Sequence, residues 1–344
     1  MSTDFHNLSF VHIQFRRLSL QLRNQYVRDE GRMAHKYGGP WSEIKLDAVE
    51  YYLQCFSKAL TSARMETWYI DAFAGSGDRE AERAVGGIFE SAPYEIVTET
   101  LDGSARRALK IDPPYKHFIF IEMDAERSSE LLKIKDEFPE KDIQIRRGDA
   151  NTEIQDIICR SPWTLKGESR HRGVVFLDPY SLQVDWQTLR AIAATQSLDV
   201  WYLFPIRDVT RQLSHKRSGV GPKEAKLDRV LGPEWRELYS LPPPAPMMQT
   251  DIFGVLQSDE EKEELRRVEK WQQIEAWFKK RLEGEFAYVS DPLPILVKQN
   301  RQAFSLFLAV GNPRKTAVDL AKHFASHVNR KFAPRPASRR RSGR

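Results

Sequence analysis

Four short segments carry residues whose types and spacing can do chemistry. The first is Tyr69-Ile70-Asp71-Ala72-Phe73-Ala74-Gly75-Ser76-Gly77, a β-type run ending in small residues and two glycines. Residues without a side chain take positive φ and leave room for a ligand to approach the backbone at the carboxyl edge of a sheet. Next come Glu122 and Asp124 after the apolar run FIFIEM, where an acid can accept hydrogen bonds from both hydroxyls of a ribose. Gly148-Asp149-Ala150 follows a third run and puts an acid where an adenine amino group can be read. Asp178-Pro179-Tyr180 follows a fourth, setting a carboxylate, a rigid turn and an aromatic face together.

Each segment also has a plainer reading. Gly75-x-Gly77 alone is a tight strand-to-helix turn. It departs from the dinucleotide fingerprint because Glu80, not glycine, stands three positions after Gly77, which counts against a nicotinamide enzyme. A lone acid after a strand is more often a solvated loop carboxylate. The weight lies in the order, because the carboxyl ends of a parallel sheet open onto one crevice.

Other candidates fare less well. Asp112-Pro113-Pro114-Tyr115 precedes FIFIEM, so it reads as a proline turn at the amino end of the sheet, opposite the crevice. His323 and His327 are one helical turn apart, but no third ligand stands at a recognisable spacing, and no metal site is expected. The basic stretch Arg207, Arg211, His215, Lys216, Arg217, Lys223 and Lys226 follows the fifth apolar run, and reads either as a surface loop or as a contact for phosphate or nucleic acid. Trp271 and Trp277 read as packing residues. No serine or cysteine nucleophile has a histidine partner. Cys55 and Cys159 are too few for a disulfide scaffold or a thiolate zinc site and are expected to be buried.

The elements that must position these residues follow from periodicity. Trp41 to Leu60 has helical spacing, with Ser42 as N-cap. Five apolar runs separated by helix-length stretches, among them Glu126 to Phe138 and Asp185 to Ala194, have the rhythm of a parallel sheet covered on both faces. The expected fold class is therefore α/β, a doubly wound, mostly parallel, Rossmann-like sheet. FAYVSDPLPILV and FSLFLAVGN add an antiparallel pair at one edge, and a last helix is expected over Thr316 to Val328. Ser258 to Leu282 is expected to be one long amphipathic helix opened by a Ser258–Glu261 capping box. The expected divisions are an N-terminal helical extension (1–66), a core (67–205), an insertion or cap (206–285), closing strands and helix (286–330), and a basic disordered tail (331–344).

Composition bounds the function classes. The 344 residues are 41% hydrophobic and 29% charged, which excludes a collagenous or wholly disordered chain. The net charge of +5 is misleading, because residues 330–344 hold seven basic side chains and no acid, leaving the remainder net acidic. No apolar run approaches the ~18 residues of a membrane span, and MSTDFHNLSF lacks the order of a signal peptide, so a cytoplasmic protein with no membrane contact is expected.

The order D-x-F-A-G-x-G, an acid after strand two, GDA and FLDPY resembles the core of class I S-adenosylmethionine-dependent methyltransferases. More narrowly, GPWSEIKLDAVEYYL, YIDAFAGSG, FIFIEMD, VVFLDPYSLQVDWQTL, VWYLFP, KLDRVLGPEW and GNPRKTA make the chain resemble the three-Cys-motif partner (TcmP) family over nearly its whole length. The resemblance implies S-adenosylmethionine as cofactor. It implies that Asp71, Gly75 and Gly77 surround its methionine part, that Glu122 meets its ribose and that Asp149 and Ala150 flank its adenine, with Phe73, Ala74 and Asp124 also counted as cofactor-binding. It implies Asp178, Pro179 and Tyr180 as the acceptor-side loop, one proline short of the Asp/Asn-Pro-Pro-Tyr loop of amino-methyltransferases. It also implies a radical-type three-Cys partner protein; separately, the basic residues Arg207, Arg211, Lys216 and Arg217 and the tail read either as solvated surface or as a nucleic-acid contact. Two readings follow: methyl transfer to an unidentified acceptor such as an amino group or nucleic acid, or a catalytically inactive methyltransferase-fold partner that binds the three-Cys protein or nucleic acid.

Overall fold

The computed structural model describes residues 40–85, 95–240, 265–267, 270–297 and 301–333. Two compact units are distinguished. In one, formed by Met1–Pro40 and Glu80–Leu101, the described part belongs to a two-stranded sheet of β2 (Asp78–Val85) and β3 (Glu95–Asp102). The other, Trp41–Arg79 with Asp102–Arg344, holds the main sheet.

The first helix, α1 (Pro40–Ser62), buries Leu46, Val49, Leu53 and Phe56 at helical spacing and starts with an acid, Glu43, that suits the positive end of the helix. Then β1 (Glu66–Asp71) leads to α2 (Ser104–Leu109), β4 (His117–Glu122), α3 (Ala125–Glu137), β5 (Asp142–Arg147) and α4 (Ala150–Ile158). They are followed by β6 (His171–Leu177), α5 (Trp186–Ala194), β7 (Leu198–Phe204), α6 (Ile206–Gln212), α7 (Glu224–Leu231) and the short β8 (Tyr239–Ser240). The chain closes with β9 (Arg266–Arg267), α8 (Trp271–Glu285), β10 (Tyr288–Val289), β11 (Leu293–Val297), β12 (Arg301–Val310) and α9 (Lys315–Phe332).

The sheet order is β10-β12-β7-β6-β1-β4-β5, with β11 also on β12. Strands β5, β4, β1, β6 and β7 are parallel, whereas β12 runs antiparallel to β7 and to β10 and β11. The doubly wound, mostly parallel sheet is therefore present. The expected antiparallel edge pair is present as β11 and β12, and the fully buried half of β12, Ser305–Val310, joins it to the sheet by pairing with all-buried β7. The chain leaves β1 toward β4 and β5 and returns to β6 on the other side of β1, so the order reverses between β1 and β6. In open α/β sheets that is where a crevice forms outside the carboxyl ends.

Both faces are covered. On one, Tyr52 of α1 meets Trp201 of β7 and Phe324 of α9 edge-on, and its hydroxyl donates to buried Asp199 at 2.8 Å. Burial raises Asp199 to about 6; it also accepts from the Gly311 N–H at 3.1 Å, tying α1, β7 and the end of β12 together. On the other, Phe278 of α8 stacks on Phe204 at 3.9 Å and meets Trp186 of α5.

Residues 206–240, expected as part of a cap, belong to that same core: Ile206, Val209, Leu227, Val230 and Trp235 share its apolar cluster with the sheet. The long helix starts later than expected. Leu265 is exposed, Arg266–Arg267 pair as a strand with β8, and the helix begins at Trp271 behind a Lys270 cap closed by Gln273. Ser258 and Glu261 lie outside the described residues. The last helix runs to Phe332, so the expected tail boundary at 331 falls inside it; residues beyond 333 lie outside the described set. Cys55 is buried, and burial pushes its thiol up to about 12, but Cys159 caps the end of α4 and is exposed, correcting the expectation that both are buried. Among the described residues no helix is long and apolar enough to cross a membrane.

Candidate functional site

The site is built from the turns that end β1, β4, β5 and β6. After β1, the Ala72 N–H donates to Phe176 of β6 and the Ala74 N–H to Ile121 of β4, both at 3.0 Å, pinning the turn between its neighbours. Asp71 lies beneath it, wholly buried, accepting from the Phe73 N–H at 3.2 Å, the Tyr69 hydroxyl at 3.3 Å and Ser104. Burial raises its pKa to about 7 against the pull of those hydrogen bonds, and the nearby Asp178 charge adds to the rise. Asp71, expected around a methionine part, is wholly buried and is not among the residues lining the cleft; its hydrogen bonds brace the turn from beneath.

Gly75 takes φ +62°, and no heavy atom stands within 4 Å of where its Cβ would be. Its N–H donates to Glu122 Oε2 at 2.9 Å, while the Asp124 N–H donates to Glu122 Oε1 at 2.9 Å. One carboxylate thus locks the first turn to the second. Gly77, at φ +79°, is crowded by the side chains of Ile134 and Leu131 and faces a smaller cavity of about 260 Å³ together with Ala74.

Asp124 and Asp149 each begin a helix. Asp124 accepts from the Arg127 N–H at 3.0 Å, and Asp149 from the Thr152 N–H at 3.1 Å, as N-caps do. Both nevertheless line the same open cleft as Phe73, Gly75, Glu122 and Ala150. On the β6 side the cleft is lined by Asp178, Pro179, Tyr180 and Ser181, and beyond them by Arg207 and Arg211 of α6. Its volume is about 1340 Å³.

Three features of this site were not read from the sequence. Lys45 of α1 reaches in and pairs with Asp178 Oδ2; its side chain is 9% exposed and that of Asp178 21%. The signal was a lysine on the apolar stripe of a helix, four residues before buried Val49 and seven before buried Tyr52. Asn151 accepts from the Asp185 N–H and the Thr188 hydroxyl, each at 2.9 Å, and donates to the Gln183 carbonyl at 2.8 Å, coupling the third turn to the loop after β6. Arg127 and Arg147 add cationic side chains on the β4–β5 side.

Several expected residues lie elsewhere. Arg217 stacks on Trp235 at 4.6 Å and pairs with Glu224 at 2.6 Å, and Lys216 forms a backbone bridge to Arg266. Neither lines the cleft, whereas Arg207 and Arg211 do. Asp112-Pro113-Pro114-Tyr115 lies ahead of β4: Gln54 and Ser57 of α1 donate to the carbonyls of Asp112 and Pro113, and buried Tyr115 donates to the Leu53 carbonyl at 3.1 Å. His327 stacks on Tyr51 at 4.9 Å, and no group of three or more candidate metal ligands occurs among the described residues.

No family model and no curated protein matches the chain. Among solved structures it is similar to protein LPL1258 from Legionella pneumophila, described under the family model DUF519, at TM-score 0.47 and 12% identity over 87% of this chain and 95% of that one. It is also similar to an S-adenosylmethionine-dependent methyltransferase from Clostridium acetobutylicum at TM-score 0.34 and 11% identity, over 85% and 99% of the two chains. A putative methyltransferase, yhhF from Escherichia coli, aligns at TM-score 0.25 and 14% identity over 44% and 66%. Similarities this distant assign no ligand to this chain. Its own strand order is a mostly parallel sheet with antiparallel β12 set between β7 and β10. The resemblance to the three-Cys-motif partner family rests on the motifs alone.

Proposed function

We propose that the cleft binds S-adenosylmethionine and that the protein transfers its methyl group to an acceptor held beside Asp178. The observation that carries this reading is the convergence of Gly75, Glu122, Asp149 and Asp178, from four successive parallel strands, on one cleft at the switch point.

The residues fit such a ligand. The open space above Gly75 lets a ligand lie against the backbone of the first turn. Glu122 holds two N–H groups with one lone pair of each oxygen and keeps further acceptor capacity for ribose hydroxyls. Asp149 stands at the third turn to meet an adenine edge.

The cofactor supplies an electrophilic methyl: as the acceptor's lone pair forms the new bond to carbon, the carbon–sulfur bond breaks and its electron pair stays on sulfur as a thioether. The protein's part is positioning and charge shielding. Lys45 fixes the Asp178 carboxylate through Oδ2, leaving Oδ1 without a hydrogen bond among the described residues, to orient the acceptor and take the proton it sheds.

Isothermal titration with S-adenosylmethionine and S-adenosylhomocysteine tests this. Micromolar binding that Glu122→Ala and Gly75→Trp each abolish supports the reading. No binding by the wild type at millimolar ligand overturns it and favours a partner protein without transfer.

A further inference from the structure

At the amino end of the sheet, opposite the cleft, a single indole joins three strands. Trp68 of β1 stacks on His117 of β4 with ring centroids 4.0 Å apart, and its Nε1–H donates to Nδ1 of His171 in β6 at 2.9 Å. Trp163, buried in the 3₁₀ turn Trp163–Leu165 between α4 and β6, meets Trp68 edge-on at 5.5 Å and His171 at 6.3 Å. Two of the joined strands, β1 and β6, pair with each other and carry at their carboxyl ends the Gly75 turn and the Asp178 loop of the cleft.

The two imidazoles answer a proton in opposite ways. An indole nitrogen only donates, so His171 Nδ1 must keep its lone pair, and the ring is neutral with its proton on Nε2. A proton on Nδ1 would set two donors against each other, so protonation there and the Trp68 bond exclude one another. His117 has no such conflict. Its Nδ1 lies 2.6 Å from Asp142 Oδ2 of β5 and its Nε2 3.6 Å from Glu66 Oε2 of β1, and a charged ring can still lie on the indole face.

Burial holds His171 below its ordinary 6.5; the Glu66 charge pulls it up, whereas His117, its neighbour Lys116, and Arg172 on the same strand as His171 push it down. Glu66 stays a carboxylate as the solution turns acid, because the Lys116 ammonium at 2.6 Å holds it below the usual carboxylate range.

We propose that His171 is a proton-operated latch on the β1–β6 pair, at the end of the strands away from the cleft. Neutral, it holds Trp68 and the turn packed on both rings; protonated at Nδ1, it drops the indole and the turn loosens. The latch is closed above 6.5 and opens as pH falls through a lower value. It depends on neither the cofactor nor the acceptor.

NMR of the indole N–H groups of the full chain, from about pH 7.5 down to about 5, tests it, with Trp68→Phe identifying the resonance. The Trp68 indole proton is expected to move upfield as its hydrogen bond is lost, with a midpoint below 6.5. Over the same range the amides of Trp163, Leu165 and Glu168, each bonded within the turn or just after it, should exchange about two- to tenfold faster once corrected for intrinsic pH dependence, the worth of one hydrogen bond. His171→Asn keeps an acceptor near Nδ1 without a titrating ring and should show neither change. His117→Gln should keep both changes and raise their midpoint, because a like charge is gone. An indole resonance that does not move, the same transition in His171→Asn, or a transition abolished in His117→Gln overturns the latch.

Discussion

Two nearly identical strings, Asp112-Pro113-Pro114-Tyr115 and Asp178-Pro179-Tyr180, sit at opposite ends of the same sheet and have opposite fates. The first leads into β4. Its tyrosine is 2% exposed, stacks on Phe56 at 6.2 Å and donates to a helix carbonyl. The second leaves β6, and its tyrosine is 92% exposed at the lip of the cleft. The string itself is not the chemistry. At the amino end, α1 closes over it; at the carboxyl end, the switch point between β1 and β6 leaves it open.

The contrast can be broken by mutation, most severely at the buried tyrosine. Tyr115→Ala removes a fully packed ring and is expected to destabilise the protein by about 3–5 kcal/mol, measured by urea denaturation. A loss below about 1 kcal/mol would contradict its structural role. Lys45→Met comes next. It strips Asp178 of its partner in a site that is only partly desolvated, so about 1–3 kcal/mol of stability is expected to be lost. Restoration of most of that loss by adding Asp178→Asn would show that the unpaired charge is the cause.

The pH dependence of stability reports on the buried Asp71 carboxyl group under the β1 turn. Asp71 titrates near 7 in the folded state and near 3.8 when unfolded, so the native protein holds its proton more tightly between those values. Stability must therefore fall as pH rises from about 4 to 7, with Asp199 contributing in the same direction up to about 6, and level off above. Asp71→Asn should flatten that fall by roughly 1–3 kcal/mol; an unchanged slope would show that Asp71 is ionised throughout. The smallest stability effect is expected at the open string: Tyr180→Ala should move the unfolding midpoint by under about 0.5 kcal/mol, because an exposed ring loses little packing. A larger shift would mean that Tyr180 supports the fold.

Much of this arrangement was legible in the residues. The five parallel strands stood out because β6 and β7 are buried on both faces and read as continuous apolar runs. The cleft-lining turns were legible because their glycines and acids follow those runs. The antiparallel pair of β11 and β12 was legible because its two apolar runs stand close together in the chain. Residues 206–240 were set apart because their 3₁₀ turns and arginines hide apolar residues that fill the core only in three dimensions, as Trp235 does between Arg217 and Arg236. Asp71 was placed around a ligand because its spacing matched, whereas its accessibility depends on Tyr69, Phe73 and Ser104 closing over it. Lys45 was missed because its partner is 133 positions away.

If one nucleoside ligand spans the turns after β1, β4 and β5, amide hydrogen exchange with and without S-adenosylhomocysteine shows it. Slowed exchange confined to peptides covering residues 73–78, 122–125 and 148–152 is expected. Unchanged exchange in all three at saturating ligand, or protection in another part of the chain alone, would contradict it.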